Sequence, residues 1–389
     1  MVDFTLTEKE QAIIDEILRE GLVCRKYARY YDKHETEVLP DELPEAKEFD
    51  HIPAMFLDRG EDGSGPTVFG LLATMYRNWG DHLSLRRPPR GLGNASLTAA
   101  GTEEQKEKWG KTVLAMANTE PGCGSDSKAI ETTAVLDGEE WVLNGEKIFV
   151  TTGIRAEGVV VWATIDKSAG RGGIKAFVVM KGTPGFELSK KEKKMGIRVS
   201  DTAAFVLKNC RIPRENLLGL NEEVKKKGGG GFKGLMKTFN LSRPATAAIG
   251  LGNVMAARDF VTEALEKEGI TVDWETGLHK RSAVQQKLID LEAELEVAIL
   301  TTLRSAWLGD QGKPNNLESS ISKSKGGDAC RLSVKLALEV LGAMGMTEDQ
   351  LVEKWFRDAR ITDIYEGTGE IQKLIIARQI LGYTSADLQ

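Results

Sequence analysis

The sequence predicts a chain in three parts: an N-terminal all-helical domain, a middle antiparallel β domain and a C-terminal four-helix bundle. Three observations carry this prediction. Apolar residues recur at helical spacing through roughly the first 115 residues. Short β-prone runs divided by turn residues fill about 118–215. Long helical periodicities then return at Phe232 and hold to the end of the chain. The domain boundaries that follow are 1–117, 118–230 and 231–389.

Composition narrows the function classes. A chain of 389 residues, 41% hydrophobic and 28% charged, is long enough for two or three packed units with a sizeable core. A net charge of -6 leaves no global basic field to recruit nucleic acid or anionic membrane. Cys24, Cys123, Cys210 and Cys330 lie far apart with no metal-ligand or disulfide spacing, and the histidines are unpaired in sequence, so no metal is expected. No apolar run reaches the roughly 18 residues of a membrane span. No basic-then-apolar leader follows Met1, so a cytoplasmic location is expected.

In chain order, Thr7 with Glu10 fits a capping box, and Ile13, Ile14, Ile17, Leu18, Leu22 and Val23 follow as one helical stripe. Residues 32–65 read as acidic loop, and 67–84 as a helix ended by Arg86-Arg87-Pro88-Pro89-Arg90. Residues 92–117 read as one or two further helices, one starting at Thr102. The β-prone runs are 132–136, 140–143, 146–151, 158–165, 175–181 and 202–212. Asn144-Gly145 falls between two of them and predicts a hairpin turn. Helices are expected over about 232–268, 282–312, 317–344, 349–358 and 370–381. Lys225-Lys226-Lys227 before Gly228–Gly231 lacks the Gly-Lys-Ser/Thr of a phosphate loop and reads as a solvated loop.

The stretch Tyr365-Glu366-Gly367-Thr368-Gly369-Glu370 sets a carboxylate at a break between helices, where glycines let a ligand approach backbone. On spacing alone, Glu366 reads as a solvated loop carboxylate. A second cluster, Thr119-Glu120-Pro121-Gly122-Cys123-Gly124-Ser125-Asp126, reads as a tight loop whose amides and hydroxyls can meet a flat or anionic ligand. A third is Lys147-Ile148-Phe149-Val150-Thr151-Thr152-Gly153, and a fourth is Phe239-Asn240-Leu241-Ser242-Arg243-Pro244.

Together these motifs closely resemble the signatures of the acyl-CoA dehydrogenases, over about residues 93–383. Lys194–Thr202 and Arg211–Asn216 resemble architectural motifs of the same family. The resemblance implies FAD as cofactor, with Thr119, Ser125, Phe149, Thr151, Thr368 and Glu370 as its contacts. Phe149 stands where tryptophan is usual, keeping a π face but losing area and an N–H donor. It implies substrate contacts at Ser125, Asn240, Arg243 and Gly367, and Glu366 as the base for the α-proton of an acyl-CoA thioester. The thioester oxygen would be polarised by the Glu366 N–H and a flavin ribityl hydroxyl. Electrons would pass to an electron-transferring flavoprotein, and the assembly would be a homotetramer.

Two departures from the family pattern stand out. Thr271 occupies the place of an arginine, and Glu339 that of a glutamine, both on the side of FAD's phosphates. A carboxylate there is expected to repel them. That leaves a flavin-poor subunit completing a partner's site as a second reading, and an acyl-CoA oxidase as a third. Arg86, Arg87 and Arg90 follow the helix whose family counterpart lines the acyl pocket. They read either as solvated charge or as a partner for a polar acyl group.

Overall fold

The computed structural model describes residues 5–35, 67–86, 90–224, 230–383 and 387, with the side chains of 84 and 230–241 left out of the description. The elements in chain order are α1 (Glu8–Lys33), α2 (Val68–Gly80), α3 (Leu92–Ala100) and α4 (Glu103–Trp109). Strands follow: β1 (Leu114–Ala117), β2 (Thr133–Asp137), β3 (Glu140–Thr151), β4 (Gly158–Thr164), β5 (Ile174–Met180), β6 (Phe186–Lys191) and β7 (Thr202–Pro213). The chain closes with α5 (Gly230–Lys267), α6 (Ala283–Asp310), α7 (Asn316–Leu341), α8 (Val352–Ala359) and α9 (Gly369–Leu381). Two compact units account for these elements: a helical unit from Met1–Leu85, Lys194–Val199 and Asn240–Gln389, and a β-rich unit from Arg86–Lys193 and Ser200–Phe239.

In the helical unit, α1 starts as its capping box dictates: Thr7 Oγ1 accepts from Glu10 N, and the Glu10 carboxylate accepts from Thr7 N at 2.8 Å. The C-terminal helices α5, α6, α7 and α8 share a core that includes Leu251, Val254, Leu291, Leu295, Val334 and Trp355. One charged network is sealed inside this unit. Lys354 Nζ donates to Asp81 Oδ2 at 2.7 Å and to Asp358 Oδ2 at 2.6 Å, all three side chains being almost wholly buried. Asp358 also accepts the Ile197 N–H, and His82 is held between Asn78 and Asn253.

The β-rich unit is a seven-stranded sheet in the order β1-β4-β2-β3-β7-β6, with β5 beside β4. Most pairings are antiparallel, but β1 runs parallel to β4, as does β2 at the single pair Thr133–Thr164. Three details differ from the sequence reading. Residues 114–117 form β1 rather than the end of a helix, and β6 is an additional edge strand. Asn144-Gly145 is also not a hairpin turn. It forms a bulge inside the continuous β3, where Asn144 Oδ1 accepts the Asn209 N–H at 2.8 Å. At Gly145 a Cβ would sit 2.4 Å from Thr132 Oγ1, so only glycine fits. The β2–β3 turn lies instead at Gly138-Glu139. Residues 36–66, Pro88-Pro89 and Lys225–Gly229, for which loops or breaks are expected, lie outside the described residues.

Candidate active site

The Glu366 turn is built by the chain that leads into it. Helix α8 tightens into the 3₁₀ turn Arg360–Asp363, and helix α9 restarts after Thr368, whose Oγ1 accepts the Ile371 N–H at 3.3 Å. Between them Glu366 takes φ 56° and Gly367 φ 94°. Glutamate rarely adopts a left-handed backbone, so surrounding contacts must hold it there. A side chain at position 367 would be strained at φ 94°, and its Cβ, 2.3 Å from Gln372 Nε2, would displace that side chain.

Three groups converge on this turn. Ser242 Oγ on α5 donates to Glu366 Oε2 at 2.6 Å. Lys323 on α7 is fully buried, and its Nζ donates to the carbonyls of Thr362 at 2.5 Å and Gly367 at 3.2 Å. Arg243 is buried, with Nη1 donating to Ser320 Oγ at 3.4 Å, and its charge acts on Glu366. Burial pushes the Glu366 carboxyl above its ordinary value, while the Ser242 bond and then the Lys323 and Arg243 charges pull it back. A base of raised proton affinity beside two cations is suited to taking a weakly acidic proton.

Other expected site residues of this unit lie near the turn in sequence. Thr368 caps α9, and Glu370 is exposed in its first turn. The side chain of Asn240 lies outside the described residues. Ser242 and Lys323 were not singled out from the sequence. They sit 124 residues and 43 residues (366 minus 323) from Glu366. A lysine at a buried position of α7 was the one available signal.

In the β-rich unit, two expected segments are joined. Ile148 N donates to Thr119 O at 2.9 Å, and Lys147 Nζ meets Glu120 Oε1 at 2.7 Å with both side chains buried. Glu120 also accepts the N–H groups of Glu131 and Thr132. Ser125 and Thr151 are exposed, and Phe149 is 60% exposed at φ 55°. Of the arginines, Arg86 is buried, Arg90 is exposed and donates to Gly110 O, and Arg87 lies outside the described residues.

Residues 115–210 match the family model "Acyl-CoA dehydrogenase, middle domain", and residues 229–381 match "Acyl-CoA dehydrogenase, C-terminal domain". The chain is 40% identical to the mitochondrial short-chain specific acyl-CoA dehydrogenase of Mus musculus, over 72% of this chain and 67% of that protein. It is 32% identical to the short-chain specific acyl-CoA dehydrogenase of Clostridium acetobutylicum, covering 97% of this chain and 100% of the relative. The fold overlays butyryl-CoA dehydrogenase from Megasphaera elsdenii with a TM-score of 0.79 at 31% identity, covering 98% and 100% of the two chains.

These family matches and relatives define an oxidoreductase acting on acyl-CoA. The chain belongs to the acyl-CoA dehydrogenase family, and its cofactor is FAD. The residues present fit that group. Phe149 holds an exposed ring on a left-handed backbone, a strain of about 1–3 kcal/mol that clusters at ligand sites, and the open ring offers a face on which a flat group can stack. A Cβ at Gly122 or Gly124 would meet no atom within 4 Å, so the neighbouring loop has room for a ligand. Glu339 does not present a bare carboxylate: Lys287 lies 2.7 Å and Lys335 3.2 Å from it, which removes most of the repulsion expected from sequence. Among the described residues no helix is long and apolar enough to cross a membrane, and no metal-ligand cluster occurs.

Proposed function

We propose that this protein dehydrogenates a short acyl-CoA thioester at the α,β bond to give the 2-enoyl-CoA, with Glu366 as the α-proton base. The observation that carries this reading is the Glu366 turn itself: a carboxylate of raised proton affinity on a left-handed backbone, hydrogen-bonded by Ser242 and flanked by Lys323 and Arg243. Bound FAD supplies the two-electron acceptor for the β-hydrogen. In the β-rich unit, Thr119, Ser125, Phe149 and Thr151 are its proposed contacts, Phe149 by stacking. In the helical unit, Thr368 and Glu370 contribute. Ser125, Asn240, Arg243 and Gly367 bind acyl-CoA, and the Glu366 backbone N–H polarises the thioester oxygen. Arg243 keeps its charge beside Glu366, which favours the carboxylate form needed before each turnover.

The short acyl group is supported by the names of the relatives at 40% and 32% identity. Reoxidation by an electron-transferring flavoprotein completes the cycle. Homotetramer formation agrees with the apolar side chains that a single chain leaves open on α6 and α9: Val297, Leu300, Leu374, Ile380 and Leu381. The test is anaerobic mixing of the yellow protein with a panel of acyl-CoA thioesters. Bleaching that is fastest with a short straight chain is expected. A colourless protein, or yellow protein that no acyl-CoA bleaches, would refute the assignment.

A further inference from the structure

Lys323 is the least ordinary residue of the bundle. Lys323 is 0% exposed, and a lysine so buried must be paired or neutral, since desolvating an unpaired ammonium costs several kcal/mol. Among the described residues its donors go to no carboxylate. They go to the Thr362 and Gly367 carbonyls, one on either side of Glu366. Gly367 O also accepts from Gln372 Nε2 at 3.3 Å. One ammonium thus clips the two ends of the six-residue span from Thr362 to Gly367, within which Glu366 holds a left-handed φ.

The groups facing Lys323 come from every neighbouring element. Glu366 and Asp363 lie on the turn, Arg243 on α5 and Cys330 on its own helix, while the Tyr365 ring centroid lies 5.9 Å away. Burial pulls the ammonium down to about 8, against the attraction of Glu366 and Asp363. It therefore stays charged at neutral pH, where it favours the ionised form of Glu366.

We propose that Lys323 is a positioning residue of the reaction: its ammonium clips the Glu366 turn through two backbone carbonyls and holds the carboxylate ready as a base. This inference rests on the reading of Glu366 as the base. A lysine whose charge did not reach the carboxylate would influence folding but not the titration of Glu366.

The experiment compares the Lys323→Gln and Lys323→Arg holoenzymes with wild type. It follows kcat against pH, and the infrared titration of the carboxyl band that Glu366→Gln removes. Glutamine can still donate to a carbonyl but carries no charge; arginine keeps the charge on a different frame. Lys323→Gln should lower kcat about 10²-fold, the scale of a small misplacement, with KM little changed. It should also move both the acid limb of kcat and the carboxyl band to higher pH. Lys323→Arg should keep the acid limb and the band near their wild-type positions. A folded Lys323→Gln enzyme with the band and limb unmoved would overturn the proposal. Should Lys323→Gln fail to fold, Lys323→Arg decides alone: a band held in place supports the charge, and a band moved upward overturns it. Failure of the base reading looks different, as full turnover in Glu366→Gln, and the band titration still tests Lys323 in that event.

Discussion

Ser242 donates a 2.6 Å hydrogen bond from Oγ to Oε2 of Glu366, joining α5 to the turn that precedes α9. The bond favours the charged carboxylate, against the burial that raises its proton affinity. Removing the hydroxyl leaves burial less opposed. Ser242→Ala should therefore move the acid limb of kcat/KM to higher pH, because the base is protonated over a wider acid range. A pH–rate profile of the variant checks this, and a limb that stays put or moves downward contradicts it.

Lys354 is a second buried lysine with a different role. Burial alone would lower its proton affinity, but Asp358 and Asp81 hold it well above the ordinary lysine value. A raised group of this kind stabilises fully below the unfolded value of about 10.4 and loses its contribution only as pH rises through the folded value. The network is therefore intact throughout the neutral range. Lys354→Met strands two buried carboxylates and should cost about 3–5 kcal/mol in denaturant unfolding. Adding Asp358→Asn should recover part of that loss. A cost below about 1 kcal/mol would mean that the network relaxes or admits water.

Lys147 and Glu120 pin the two exposed segments proposed for FAD from beneath. Burial pulls Lys147 down, and Lys147 with two N–H donors keeps Glu120 below its usual range despite burial. A depressed carboxyl stabilises above its unfolded value, and that contribution fades as pH falls through the folded value. Lys147→Met should release FAD on dialysis and lower the unfolding midpoint, with flavin absorbance per chain as the readout. Wild-type flavin content in this variant would detach the ion pair from cofactor binding.

Local signals were legible in the sequence, whereas convergence across the chain was not. The Thr7–Glu10 capping box begins α1 as read, and the long C-terminal helices match their periodicities to within a few residues. Asn144-Gly145 misled because a positive-φ glycine serves a bulge as well as a turn, and tertiary packing against Thr132 chose the bulge. Strand β1, Leu114-Ala115-Met116-Ala117, has no β-branched residue, so its composition favours helix and only pairing with β4 makes it a strand. At the site, Glu366 was visible through the resemblance of its motif. Ser242 and Lys323 became visible only when α5 and α7 brought them to the turn, and Glu339 lost its predicted repulsion only when Lys287 and Lys335 were seen beside it.

The role of Glu366 as the base is the claim on which the reading of the site depends. Its most direct measurement is the rate at which acyl-CoA bleaches the flavin of Glu366→Gln under anaerobic single-turnover conditions. Glutamine keeps the length of the side chain and can still face Ser242, so the variant should retain FAD and bind acyl-CoA. Bleaching should slow by about 10²–10⁴-fold, the loss expected for a positioned general base. Bleaching at the wild-type rate in a variant with full flavin content would contradict the account.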